Sequence, residues 1–283
     1  QLPGIEQFTD EQIWSAIETH RNGGSGVEQS DLKGPEWDVL TDENPPTDYP
    51  HFMSKKVGVP SGFGSSIMRV LLLERLREVN ALLGFTRVES PDEGTGDEAA
   101  PRALLARAAP NWVPATQVHG EGIFVRFDAD ALKAWANKDP VKALDSRLRQ
   151  GHRGWRQKRN LDPNQGYPGV RYIMLHTLAH MLIRELALEC GYSAASIRER
   201  IYADAEDGRD QGGFLIYTAA ADSDGTLGGL VELGKPENLG RLLRQALDRA
   251  HICASDPLCS EHNPSKDQSL HGAACHACSF VSE

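Results

Sequence analysis

The sequence predicts an α+β fold with helices in the majority and strands in short hairpins, on three observations. First, "PENLGRLLRQALDRA" sets Leu239, Leu242, Leu243, Ala246, Leu247 and Ala250 at i, i+3, i+4, i+7 spacing, a helical stripe opened by Pro236. Second, "NWVPATQVHGEGIFVRFD" and "GGFLIYTAAADSDGTLGGLVELG" alternate and break at turn residues, as strands in hairpins do. Third, four of the five cysteines fall within the last thirty-one of 283 residues. Neither a hydrophobic core nor a spread disulfide framework concentrates cysteine in this way.

Taken in chain order, Thr9 with Gln12 reads as a capping box opening a helix through "DEQIWSAIETHR". From Gly23 to Pro60 glycine and proline recur too often for long elements, so this stretch is expected as loop, with Trp37 and Phe52 pinning it to a partner surface. "MRVLLLERLREVNALLGFTRV" is expected as an apolar-faced helix ended by Gly84. "ESPDEGTGDEAAP" is acidic and aperiodic, a linker or surface loop. "NWVPATQVHGEGIFVRFD" reads as two short strands turning at His119–Gly122.

"DADALKAWANKD" and "DPVKALDSRLRQGHRGWRQKR" read as helices, and "RYIMLHTLAHMLIRELALECGY" as a buried one, apolar nearly all round. "AASIRERIYADAE" is expected as a further helix capped by Ser193. "GGFLIYT" is a strand, Asp222–Gly225 a turn, and the glycine-rich residues after it a second strand. This gives an N-terminal helical and loop segment at 1–88 that contacts a partner, an acidic linker at 89–103, and an α+β domain at 104–283. The opening "QLPGIE", lacking methionine, marks the chain as a piece of something longer.

Hydrophobic residues at 40% and charged residues at 25% are ordinary for a soluble globular protein, and no apolar run is long enough to span a membrane. The net charge of −10 argues against general nucleic-acid affinity, but a local basic stripe overrides a total. "KALDSRLRQGHRGWRQKR" is that stripe: Lys142, Arg147, Arg149, Arg153, Arg156, Lys158 and Arg159 against Asp145 alone. Trp155 lies among them and could stack on a base. Arg153, Trp155, Arg156, Lys158 and Arg159 are the candidate DNA contacts; the competing reading is a solvated helix face.

Cys253 and Cys259 form C-x5-C, and after fifteen intervening residues Cys275 and Cys278 form C-x2-C. Two thiolate pairs from separate loops supply the four soft ligands that tetrahedral zinc prefers, and four thiolates leave no open position for catalysis. The expected cofactor is therefore structural Zn2+. Merely buried thiols and an iron–sulfur cluster are the rivals, and His262, His271 and His276 could each replace one cysteine. The fold class is thus α+β, helix-rich, with short strand hairpins and a C-terminal four-cysteine zinc site.

His176 and His180 share one face of the buried helix at i, i+4, the spacing of metalloprotease histidines, yet Thr177 stands where that signature carries its glutamate base. Hydrogen-bonded core histidines are the plainer reading. Asp222 and Asp224 suit a hairpin turn better than acid–base work, and no phosphate-binding G-x-x-x-x-G-K-[ST] loop is present.

"LREVNALLGFTRV", "NWVPATQVHGEGIF", "LHTLAHMLIRELALECGYSAASIRERIY", "GGFLIYTAAADSDGTLGGL" and "LHGAACHAC" together resemble the DrmB family, the helicase-associated component of the DISARM anti-phage system. From about Arg171 onward the chain resembles the MrfA-like zinc-binding domain, with Cys253, Cys259, Cys275 and Cys278 where that family places metal ligands. The resemblance implies a non-motor subunit in the bacterial cytoplasm, paired with a DrmA-like superfamily 2 helicase and engaging DNA. It implies no catalytic residues. Two alternatives stand beside it: a metal-dependent hydrolase or nuclease using His176 and His180, and a protein scaffold without DNA contact.

Overall fold

The computed structural model describes residues 32–45, 47, 49–82, 84–85, 103, 105–106, 112–192, 196–204, 210–218, 229–251, 253 and 259–264. In chain order these form α1 (Lys33–Thr41), β1 (Phe52–Val57), β2 (Ile67–Ala81), β3 (Ala115–Phe127), α2 (Ala129–Ala136), α3 (Asp139–Lys158), α4 (Gly169–Cys190), β4 (Ile197–Tyr202), β5 (Gly213–Thr218), α5 (Gly229–Leu233) and α6 (Pro236–Arg249). All five strands join one antiparallel sheet in the order β1-β2-β3-β5-β4. The α+β class holds, and strands in short hairpins give way to a single sheet with two long central members. The helix expected at "DEQIWSAIETHR", the acidic stretch 89–101 and the Asp222–Gly225 turn lie outside the described residues.

The run Val70–Leu73 explains why β2 is a strand where a helix was expected. All four residues are buried, Val70 and Leu72 on one face, Leu71 and Leu73 on the other. A strand covered on both faces reads as a continuous apolar run, and over so few residues that pattern also fits a buried helix. The expected turn at His119–Gly122 is likewise continuous strand. Leu76 pairs with Gly120 and Leu73 with Gly122, with a bulge between, and a Cβ on Gly122 would lie 3.0 Å from the Ile216 carbonyl oxygen. Glycine here serves close strand approach. The sheet thus joins β2 of the expected 1–88 segment to β3 of the expected 104–283 domain.

The segment "SIRERIY" is strand β4, not helix, because its side chains divide with period two. Ile197 and Ile201 enter the larger core, while Arg198 and Arg200 point to the opposite face and pair with Glu78 and Glu36. The residues before α6 form the short helix α5, where a second strand was expected. Its first amides are held from the sheet: Leu230 N–H donates to Glu121 Oε1 at 2.9 Å and Val231 N–H to Oε2 at 3.1 Å. Glu121 is only 1% exposed, so β3 supplies a buried cap to a helix more than a hundred residues away in sequence.

Two cores result. The larger lies between the sheet and α2, α4, α5 and α6, built on Val70, Leu72, Ile123, Val125, Phe214 and Ile216 against Leu175, Leu182, Leu186, Leu239 and Leu242. The α6 stripe is buried at Leu239, Leu242, Leu243 and Ala246, as its spacing requires, while Leu247 is exposed. The smaller core covers the other face, where α1 lays Trp37 and Leu40 on Leu71, Leu73, Phe124, Tyr202 and Leu215. Trp37 meets Phe124 and Tyr202 at ring centroids of 5.7 Å in each case. It therefore fastens a helix to its own sheet; a loop pinned to a partner was expected. No helix among the described residues is long and apolar enough to cross a membrane.

Candidate functional site

Three groups of residues carry chemistry: the basic helix α3, the cysteine segment after α6, and a cluster between α4 and β4.

Helix α3 opens at Asp139 with Pro140 in its first turn and ends in Arg156 and Lys158, where cations favour the helix dipole. Its charges are not equally available. Asp145 accepts the Tyr167 hydroxyl at 2.7 Å and the Val170 amide at 3.2 Å, so the one acid of the stretch sits at the N-terminus of α4. Burial, first, and then the Asp145 hydrogen bond push the Tyr167 phenol well above its ordinary range. The Arg149 guanidinium covers the Tyr167 ring at 4.4 Å.

Arg156 is 7% exposed and donates through Nε to the Asp162 carbonyl, closing the loop that follows the helix. Arg159 lies over the Trp155 ring at 4.0 Å, and His152 stacks at a centroid distance of 6.2 Å. Arg153, Lys158 and Arg159 are exposed. Of the five residues singled out from sequence, these three therefore present charge to solvent, Trp155 is held in a stack, and Arg156 supports the backbone.

Cys253 lies just beyond the C-cap of α6 at Ala250, and Cys259 opens the 3-10 turn Cys259–Glu261; both are half-buried. His262 N–H donates to the Cys259 carbonyl at 3.3 Å. Cys275 and Cys278 lie outside the described residues. Cys253, just past a helix end, and Cys259, in a tight turn, occupy positions that suit two thiolates of a thiophilic ion. Beyond that turn the chain packs on α3: Pro264 is buried, and a Cβ on Gly151 would lie 2.5 Å from the Pro264 Cβ. The fifth cysteine plays no such part. Cys190 donates to the Leu186 carbonyl at 2.8 Å at the end of α4, and burial pushes its thiol up to about 11.

The third group joins His176 and His180 of α4 to Glu199 of β4. Glu199 lies between Ile197 and Ile201 on the strand face that packs on α4, which turns its carboxylate to the histidines. The two Nε2 atoms are 2.9 Å apart, and Glu199 Oε1 stands 3.6 Å from His176 Nε2 and 3.2 Å from His180 Nε2. Hydrogen bonding from His176, first, and then His180 holds the Glu199 carboxyl well below the usual carboxylate range, against the opposing effect of burial. Sequence reasoning found the histidine pair and missed Glu199. The available signal was two isoleucines four apart with a carboxylate midway, which places all three on one face only if the segment is a strand.

Residues 178–279 match the family model of the MrfA Zn-binding domain. Across its whole length it is 32% identical to the DISARM protein DrmB of Bacillus paralicheniformis. The likeness read from sequence is thereby borne out. The chain spans about half the length of that relative: the alignment covers 100% of this chain and 50% of the other. Among solved structures, the DUF1998 helicase MrfA bound to DNA is similar over 79% of this chain and 23% of its own, at 11% identity and a TM-score of 0.33. That structural likeness is too slight to carry any argument.

Proposed function

We propose that this chain is a zinc-binding, non-motor subunit of a helicase-associated assembly in bacterial anti-phage defence, acting in the cytoplasm beside a DrmA-like superfamily 2 helicase. The observation that carries the reading is the 32% identity to DISARM protein DrmB over the full chain, joined to the zinc-binding domain match at 178–279. The ion is structural, held by Cys253, Cys259, Cys275 and Cys278. Its work is to fix the cysteine-bearing chain after α6, where Pro264 rests on Gly151 of the basic helix.

DNA binding or gating falls to that helix. Arg153, Lys158 and Arg159 are exposed at the C-terminal end of that helix, a local concentration of positive charge on a protein of net charge −10. Trp155, stacked beneath Arg159, offers a base-stacking surface where that arginine swings onto a phosphate. The test is the salt dependence of DNA binding by the chain with its helicase partner, before and after Arg153→Ala, Lys158→Ala and Arg159→Ala together. Each lost phosphate contact should flatten the log–log slope by about 0.9, or about 2.7 for all three. An unchanged affinity and slope would remove α3 from the DNA path.

A further inference from the structure

We propose that His176, His180 and Glu199 bind a divalent transition-metal ion of the zinc class, apart from the cysteine segment, with one coordination position left for water or a ligand. The argument starts from which atoms meet. All three short contacts involve the same three atoms, His176 Nε2, His180 Nε2 and Glu199 Oε1.

With neutral imidazoles and an ionised carboxylate, hydrogen bonds alone leave that triangle unsatisfied. A neutral imidazole Nε2 is either a donor or an acceptor, and an ionised carboxylate oxygen only accepts. If both nitrogens donate to Glu199, two N–H groups oppose each other across 2.9 Å. If one accepts from the other, its lone pair faces the carboxylate instead. One edge is repulsive in either tautomer. A single cation at the centre makes all three lone pairs attractive at once.

The dimensions fit such an ion. For edges of 2.9, 3.2 and 3.6 Å, the point equidistant from the three atoms lies about 1.9 Å from each; raising it roughly 0.8 Å out of their plane makes every distance about 2.05 Å, the length of a zinc–imidazole bond. An ion standing out of its ligand plane is what a tetrahedral site with three protein ligands requires. The side chains are 12%, 13% and 23% exposed, sheltered but not sealed.

The surroundings serve the same end. Ile197, Ile201, Leu175 and Ala179 form an apolar wall about the ligands, and Tyr172 lies against the His176 ring at a centroid distance of 5.5 Å. Tyr172 also lines an open cavity of about 790 Å³ between α3, the start of α4 and β4, which brings solvent to within one side chain of the ligands. Thr177 occupies the position where a metalloprotease helix carries its base, so that position supplies no carboxylate to deprotonate a bound water. Its consequence is mechanical: the ion ties α4 to the edge strand β4 and offers one position to an outside ligand.

The experiment is metal analysis of the purified chain together with cobalt substitution. About two zinc ions per chain are expected, one lost in His180→Gln and in Glu199→Gln, and the other in Cys275→Ser with Cys278→Ser. Co2+ added to the chelator-treated chain should bind to about two equivalents, only one of them accompanied by the near-ultraviolet thiolate-to-cobalt transition, and the thiolate-free equivalent with its visible d–d bands should vanish in Glu199→Gln. The ratio of thiolate transition to cobalt bound in the unaltered chain decides the matter even if a variant fails to fold. A zinc content insensitive to His180→Gln, with all bound cobalt accounted for by the thiolate transition, overturns the proposal and leaves the cysteine site intact. One zinc lost only on changing His180 or Glu199 would instead support the proposal and sink the four-cysteine site.

Discussion

Gly151 and Gly154 lie one turn apart on α3, yet alanine should act on them with opposite sign. In a helix interior alanine is more favourable than glycine by about 0.8–1 kcal/mol. At Gly154 an added Cβ meets nothing within 4 Å, so Gly154→Ala should stabilise by about that amount. At Gly151 the same Cβ would lie 2.5 Å from the Pro264 Cβ and 3.1 Å from the Pro264 carbonyl carbon, against backbone and a rigid ring. Overpacking of this kind costs about 1–3 kcal/mol, enough to cancel or reverse the propensity gain.

The two variants should therefore differ by about 1–3 kcal/mol, which in a domain of this size is on the order of 2–4 °C in Tm per kcal/mol. Urea unfolding of both, with and without Pro264→Gly, measures the clash directly. In the Pro264→Gly background much of the Gly151→Ala penalty should disappear, because that change removes the atom at 2.5 Å. Equal stabilisation by the two alanines would refute the docking of the cysteine segment on α3. The idea that zinc shapes the basic helix would fall with it.

Two further outcomes follow from bonded carboxylates, beyond the slope of DNA binding and the metal count above. Glu121→Ala should cost about 2–3 kcal/mol in urea unfolding, since it strips the carboxylate from the Leu230 and Val231 amides; a neutral result would refute the cap. Asp210 bonds Lys133 at 2.6 Å and Arg171 at 2.8 Å, and these hold its carboxyl below the ordinary value of 3.8. A depressed carboxyl adds stability that is complete above the unfolded value and is lost as pH falls through the folded one. The gap in Tm between the unaltered chain and Asp210→Asn should accordingly be constant near neutrality and close below about pH 4; a gap that persists in acid would assign the effect to shape and not charge.

Amphipathic helices were legible from sequence because their stripes are long and one-sided: α6 buries four of the residues its spacing selects, and α4 carries its histidines on one face. The sheet was less legible, for physical reasons that differ by strand. In β2 the second face is covered by α1 more than twenty residues upstream, which turns an alternating pattern into a run. In β4 the spacing of Ile197 and Ile201 satisfies helix and strand alike, and only the sheet decides. At the sites, residue type located the cysteines and the histidine pair. Glu199 and the inward turn of Arg156 depend on which way a backbone runs, and no single residue announces that.

The placement of β5 between β3 and β4 has a consequence for synthesis of the chain. A ribosome completes β3 at Phe127 and begins β5 only at Gly213. At ~5–20 residues per second, the inner edge of β3 waits roughly four to seventeen seconds for its neighbour. For that interval Ile123, Phe124 and Val125 border an unpaired strand edge, the kind of surface on which nascent chains associate wrongly. A fragment holding only the matched zinc-binding segment would meet the reverse hazard, with β5 made and β3 never supplied. Expression of this protein is therefore governed by how well its middle is chaperoned, and trimming to the recognisable domain should lower yield rather than raise it.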